Sequence, residues 1–425
     1  MSNAPYENTR AFALACDERD PLASFRDKFH LPKQASGDAY LYFVGHSLGL
    51  QPRTARGYVE QELKDWEMLA VEGHFKGKNP WMPYHEYLTD QLATIVGGQP
   101  GEVVAMNTLT VNLHLMMVSF YRPTPERHKI LIEGTAFPSD KYAVASQAAF
   151  HGYDAAESVI QLDPRAGEDT IRAEDIEELL EREGGSIALI MLGGVNYLTG
   201  QAFDMARITE LGHRHGCTVG FDLAHAAGNL ILNLHDWDVD FAVWCSYKYL
   251  NGGPGCVGGA FVHGRHAESD LPRFAGWWGQ DKQTRFAMPS GFTATPGAEG
   301  WQLSNPPILP LASLRASLEI FEAAGLAQLR KKSESLTGYL AFLLQETVGE
   351  HITLITPADK AQRGAQLSFR VKRDGASVYE RISASGVLCD WREPDVIRVA
   401  PIPLYTSFED VHQFVSLFGK AVKAR

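Results

Sequence analysis

Short apolar runs alternate with charged, amphipathic stretches through the middle of the chain. Residues 129–133 and 187–192 are almost continuously apolar, the pattern of strands buried on both faces. Between them, 174–183 is rich in Glu with apolar residues at helical spacing. Residues 204–215 read as a second helix, 218–221 as a short strand, and 241–245 (Phe-Ala-Val-Trp-Cys) as a third buried strand. This alternation predicts an α/β fold with a mainly parallel sheet covered by helices, in which ligands collect at the carboxyl ends of the strands. After Pro310 the texture changes. A helix is predicted from about 312 to 325, with Leu314, Leu318 and Phe321 on one face. A strand at 366–371, a helix at 377–384 and a final helix from 408 to about 422 follow. The expected division is an N-terminal segment, 1–75, that joins a small α+β C-terminal domain, 311–425, and a large domain, 76–310, between them.

Length and composition narrow the class. A chain of 425 residues, 45% hydrophobic and 21% charged, is long enough for two or three domains around a large core. The net charge of −12 argues against nucleic acid or an anionic membrane as partner. Cysteines 16, 217, 245, 256 and 389 are scattered and odd in number. They read as reduced thiols of a cytoplasmic protein, with neither a disulfide framework nor a zinc site. There is no HExxH-type spacing among the histidines, no basic-then-apolar leader, and no apolar run of about 18 residues.

The candidate chemistry sits where the strands end. The run 241–245 leads into Ser246-Tyr247-Lys248-Tyr249 and then Leu250-Asn251-Gly252-Gly253-Pro254-Gly255. Lys248 is thereby placed at a strand exit. A lysine partly withdrawn from water there offers its amine as a nucleophile toward a carbonyl. Asp222 ends the preceding strand, in Thr218-Val219-Gly220-Phe221-Asp222-Leu223-Ala224-His225. A carboxylate in that place can keep the ring nitrogen of pyridoxal phosphate protonated, the condition for the cofactor to act as an electron sink. His225 follows within reach of the ring. Alone, each residue has a plainer reading: a surface lysine by a loop, a helix-capping Asp, a core histidine. The acid at one strand end and the lysine at the next, before a Gly-rich turn, are together far more specific. Asn107-Thr108-Leu109-Thr110 before the apolar segment 111–121 adds a helix start whose free N–H groups suit a phosphate, with a Thr as its cap; an ordinary capped helix is the alternative.

With these motifs the chain closely resembles the kynureninase family of fold-type-I pyridoxal-phosphate enzymes, relatives of aspartate aminotransferase. The resemblance runs from Gly45-His46-Ser47-Leu48-Gly49-Leu50 to Ile397-Arg398-Val399-Ala400-Pro401. It includes 107–115, Phe137-Pro138-Ser139-Asp140, 220–226, the lysine motif, Gly276-Trp277-Trp278-Gly279 and Ser304-Asn305-Pro306-Pro307. It implies a covalent lysine at Lys248, cofactor contacts from Leu109, Thr110, Phe137, Ser139, Asp140, Asp222, His225 and Tyr247, and Trp277 and Asn305 supplied by the second subunit of a homodimer. The resemblance also implies that Tyr247 reaches the phosphate and relays a proton. Substrate contacts fall to Ser47, His74, Asn305 and Arg398, the last as a planar, permanently charged partner for a carboxylate. Some relatives have a serine where Gly193 stands, so no side-chain role is given to it. The implied reaction is hydrolytic Cβ–Cγ cleavage of kynurenine or 3-hydroxykynurenine to alanine and an anthranilate, in tryptophan catabolism or NAD biosynthesis. A cysteine desulfurase or another aminotransferase-like enzyme would keep Asp222 and Lys248; the desulfurase would also need a reactive thiol on a mobile loop, and Cys389 reads as part of a strand. A non-catalytic cofactor-binding regulator would need a DNA-binding segment for which no stretch of the chain is free.

Overall fold

The computed structural model describes residues 6–424; residues 1–5, the start of the expected N-terminal segment, and residue 425 lie outside them. Its strands, in chain order, are β1 (Leu41–Tyr42), β2 (Val103–Ala105), β3 (Lys129–Glu133), β4 (Val159–Leu162), β5 (Ile187–Gly193), β6 (Thr218–Asp222), β7 (Phe241–Cys245), β8 (Gly258–Val262), β9 (Ile352–Leu354), β10 (Leu367–Val371), β11 (Val387–Leu388), β12 (Asp390–Arg392) and β13 (Val396–Val399). The strands from β2 to β8 make one sheet in the order β2-β8-β7-β6-β5-β3-β4. Its β4, β3, β5, β6 and β7 are parallel, and β8 and β2 close one edge antiparallel.

Side chains alternate along these strands between two cores, as the period of two requires. Leu131, Ile190, Leu192, Phe221, Ala242 and Trp244 face one, with the helices Ala173–Glu183, Met205–Arg214 and Ile308–Ala324 packed over them. Ile130, Ile132, Leu189, Met191, Phe241 and Val243 face the other, under the helices Leu109–Phe120 and Pro138–Phe150. Burial on both faces is why these strands read as unbroken apolar runs. Gly220 is required by this packing: a Cβ there would strike the ring of Phe241.

The C-terminal unit has an antiparallel sheet, β12-β13-β10-β9, and a third core built from Leu336, Leu340, Leu343, Phe369, Val399, Phe414 and Phe418. The N-terminal segment joins it: β1 pairs with β11, and Ala13, Leu41 and Phe43 enter the same core. Truncating a ring such as Phe414, fully buried here, would cost about 3–5 kcal/mol.

The predicted helix at 312–325 begins earlier, at Ile308, and ends at Ala324. Pro310 falls in its first turn, where a missing N–H costs nothing, so the proline does not delay the start. Gly325, at φ 74, breaks the chain direction, and a second helix, Leu326–Val348, follows that the sequence reading missed. Its charged run Arg330-Lys331-Lys332 hides a stripe of Leu329, Leu336, Leu340 and Leu343. Among the described residues no helix is long and apolar enough to cross a membrane, and all five cysteines are free.

Candidate active site

Four strand ends meet at one point. In register, Gly193 at the end of β5 pairs with Asp222 at the end of β6, and Asp222 with Val243 of β7. β7 then delivers Tyr247 and Lys248, while β3 ends on Glu133 beside β5. The cavity over these ends has about 570 Å³ of empty space, its open mouth included. Nine of the residues expected from the sequence line it: Leu109, Thr110, Phe137, Ser139, Asp140, Asp222, His225, Tyr247 and Lys248. The Gly45–Leu50 motif braces the lysine loop from outside. Gly49 donates to the Tyr247 carbonyl at 2.8 Å, and a Cβ at Gly49 would lie 2.5 Å from the Lys248 carbonyl oxygen.

Lys248 Nζ lies 3.1 Å from His225 Nε2 and 5.9 Å from the centre of the Phe137 ring. Burial, and then the charges of Lys248 and Arg398, hold the His225 pKa well below its ordinary value. A neutral His225 accepts at Nε2 from the ammonium and carries its hydrogen on Nδ1, which has no partner among the described residues. Asp222 accepts the Ala224 N–H at 2.6 Å. Asp140 stands against it, and burial together with the neighbouring Asp222 charge lifts the Asp140 pKa well above the carboxylate range. The proton of the pair therefore belongs to Asp140, and the anion to Asp222. Glu133 is a third acid in the same wall, pushed by burial up to about 7. Both of its oxygens take the Gly193 N–H, at 3.2 and 3.1 Å, and a Cβ at Gly193 would approach one of them to 2.9 Å.

The helix Leu109–Phe120 starts after an extended Thr108 that makes no side-chain cap bond, contrary to the expected Thr cap. Thr110 instead bonds Ser139, hydroxyl to hydroxyl, at 2.8 Å. The N–H groups of this first turn are thus left for an incoming anion. A phosphorylated pyridine aldehyde fits this donor set: N–H and hydroxyl donors for the phosphate, an amine for the aldehyde, an aromatic face at Phe137, and an anionic acid for a protonated ring nitrogen. Tyr247, its pKa raised by burial, stays a neutral O–H.

The remaining expected residues do not reach the cavity within one chain. Ser47 is exposed, its N–H on the Val44 carbonyl at 2.8 Å. His74 holds the Val71 carbonyl oxygen at 3.0 Å from Nδ1 and packs edge-on to Trp81. Trp277 is 39% exposed, and Asn305 is exposed. Arg398, on β13, is buried one residue away from the cavity: Nη1 donates to the Tyr197 carbonyl at 2.6 Å, and the Tyr197 side chain lines the wall, edge-on to Phe137. The sequence reading missed Glu133, Tyr197 and the Gly193 N–H. Glu133 was within reach, since it ends an apolar strand as Asp222 does.

The family model described as the kynureninase C-terminal domain matches residues 329–418. A kynureninase of Koribacter versatilis is 63% identical over 98% of this chain and 99% of its own. Those of Myxococcus xanthus and Xanthomonas euvesicatoria are 60% and 57% identical over 96% of this chain, and over 96% and 97% of theirs. The chain belongs to the kynureninase family. Solved structures show that this kynureninase-family chain has the fold-type-I architecture. A C-DES variant with glycine covalently linked to its PLP cofactor matches with TM-score 0.76 at 18% identity, covering 89% of this chain and 96% of that one. A cysteine desulfurase from Escherichia coli matches with TM-score 0.76 at 18% identity, over 95% and 98%. At such identities the likeness is one of fold alone. The desulfurase alternative also lacks its nucleophile here: Cys389 is buried between β11 and β12, and burial pushes its thiol up to about 12.

Proposed function

We propose that this chain is a pyridoxal-phosphate-dependent kynureninase, which adds water across the Cβ–Cγ bond of L-kynurenine or its 3-hydroxy form and releases L-alanine and an anthranilate. The observation that carries the reading is the pairing of Lys248 and Asp222 on adjacent strand ends, in a chain that matches kynureninases over nearly its full length. When bound, the cofactor supplies an electron sink for the charge released at the substrate's Cα. Lys248 would anchor the cofactor through its amine and would serve as the base for the Cα proton; His225 Nε2, at 3.1 Å from Lys248 Nζ, orients that amine. Asp222 holds the proton on the ring nitrogen, and Asp140 donates to Asp222 so that the wall carries one charge. Phe137 covers a ring face. Leu109, Thr110 and Ser139 would hold the phosphate, and Tyr247 would reach it and relay a proton. Arg398 receives the substrate carboxylate, and Ser47 adds a polar contact at the mouth.

Residues 1–75 and 311–425 are assigned to the unit that presents Arg398, and 76–310 to the unit that holds the cofactor; the pairing of β1 with β11 supports the place of the N-terminal segment, whereas Leu22, Phe29 and the helix Ile308–Ala324 pack in the core of the large sheet and move the boundary past Ala324. The working form is a homodimer in which Trp277 and Asn305 complete the neighbour's site. Their exposure, with that of Phe286 and Met288 on the same loop, supports it. Free thiols support a cytoplasmic setting. Alanine release from kynurenine, measured beside sulfide release from cysteine, tests the activity; sulfide without alanine would reject it. Sharing is tested by refolding inactive Lys248→Ala and Trp277→Ala chains together. Recovered activity supports a shared site, and mixed dimers without activity reject it.

A further inference from the structure

Beside the cavity, on the C-terminal sheet, two arginines share one carboxylate oxygen. Asp390 of β12 and Arg398 of β13 are directly opposed in the antiparallel ladder, so their side chains leave the same face. Asp390 Oδ2 accepts from Arg398 Nε at 2.6 Å and lies 2.6 Å from Arg398 Nη2. The same oxygen accepts from Arg392 Nε at 3.0 Å. Both guanidinium carbons stand over the ring of Tyr197, at 5.6 and 6.0 Å from its centre. Tyr197 is the residue that carries this corner to the cavity wall.

The charges do not balance. Arg398 is 2% exposed, and a guanidinium so buried needs a standing counter-ion, because an unpaired one costs several kcal/mol. A substrate that comes and goes cannot serve, whereas Asp390 is always present. Yet Asp390 is one anion between two cations, so the group keeps one positive charge. The Nη nitrogens of Arg392 have no hydrogen-bond partner among the described residues. His46 adds a second unfilled feature. It is fully buried, neither ring nitrogen is bonded by a side chain, its nearest backbone acceptor is that of Phe43, and the charges of Arg398, Lys248 and Arg392 all act on it. A neutral imidazole with an N–H to give, beside a group one charge short of neutrality, suits a carboxylate.

We propose that Asp390 is a positioning residue: through one oxygen it fixes Arg398 and Arg392 as a pair, and Arg392 is the second arginine that receives the substrate's α-carboxylate. This rests on the function proposed above and deepens it, since the resemblance assigned the carboxylate to Arg398 alone. The rival possibility is that Asp390 occupies the carboxylate's own place and must be displaced. The two differ in sign: a positioning Asp390 aids binding, and a rival Asp390 opposes it.

The test compares ligands with and without a carboxylate on the holoenzyme. L-alanine and ethylamine, which is alanine lacking its carboxyl group, are each titrated while the cofactor's visible spectrum is followed; kcat and KM are measured with kynurenine. In Asp390→Asn, KM and the alanine Kd should rise about tenfold or more, with ethylamine affinity and kcat little changed. Asp390→Glu should recover part of the loss. Arg392→Gln should show the same selective loss at smaller size, and it serves if Asp390→Asn fails to fold, because Arg392 is the more exposed partner. An unchanged or lower KM in Asp390→Asn, equal weakening of both ligands, or an unchanged alanine-to-ethylamine ratio in Arg392→Gln would overturn the proposal. A wild-type enzyme that releases no alanine from kynurenine would instead reject the parent function while leaving the ligand ratio measurable.

Discussion

The two ends of the large sheet treat buried carboxylates in opposite ways. At the amino end Asp240, just before β7, takes the Val219 N–H at 2.8 Å, His213 and His266 at 2.9 Å each, and Arg265 at 2.5 Å. Burial opposes its charge, but these partners overcome it and hold Asp240 below the usual carboxylate range. Glu102, before β2, is similarly saturated by the N–H groups of Gln99 and Gly264 and by His235. At the carboxyl end the acids are short of donors. Asp140 Oδ1 has no partner, Glu133 has one N–H for two oxygens, and burial raises the pKa of both. The difference teaches where the fold can be spared. Satisfied acids stabilise the sheet, and under-satisfied ones wait for a ligand that brings the missing donor.

Substitutions at the two ends should therefore separate activity from stability. The largest effect belongs to Lys248→Ala, which should lose the visible absorbance of the lysine-bound cofactor and about 10³-fold or more in kcat; retention of both would remove Lys248 from its role. Asp222→Ala should lower kcat by about 10²-fold or more with little loss of melting temperature in the apoprotein, since the buried acid is a burden to the fold. Asp240→Ala should do the reverse. It leaves Arg265, His213 and His266 without their shared anion, a loss of about 3–5 kcal/mol in denaturant unfolding, while the folded fraction keeps its kcat. Equal effects of both changes on either quantity would dissolve the comparison.

The pH dependence sharpens it. The Glu133 pKa is raised in the folded state from 4.5 to about 7. Its contribution is full below pH 4.5 and is lost as pH rises through 7. Asp240 has the opposite sign: its contribution is full above the ordinary Asp value and lost as pH falls. Glu133→Gln in the apoprotein should therefore flatten the decline in stability between about pH 5 and 7 by up to about 3 kcal/mol. An unaltered slope would mean that Glu133 ionises normally. The smallest effect expected concerns the substrate ring. On the proposal that His74 and the neighbour's Asn305 meet a ring hydroxyl, kcat/KM should favour 3-hydroxykynurenine by about tenfold, the worth of one hydrogen bond. Asn305→Ala should narrow that gap; equal or reversed preference in the wild type would refute it.

Much was written in the chain itself. Apolar runs marked β3, β5, β6 and β7, because strands covered on both faces have no polar positions to obscure them. The same rule put Asp222 and Lys248 at strand ends, and a resemblance carried by short motifs added Leu109, Thr110, Phe137, Ser139 and Asp140. The helix Leu326–Val348 was hidden because charged residues interrupt its buried stripe, and one of them, Lys332, is itself buried and paired with Asp20 at 2.7 Å. Only the tertiary structure brought Glu133 onto Gly193, paired Arg398 with Asp390 across two strands, and set the N-terminal β1 beside β11. These contacts join residues far apart in sequence, and their energies depend on burial and distance in three dimensions. Local pattern fixes which residues can end a strand; how strand ends charge one another is decided by the packed sheet.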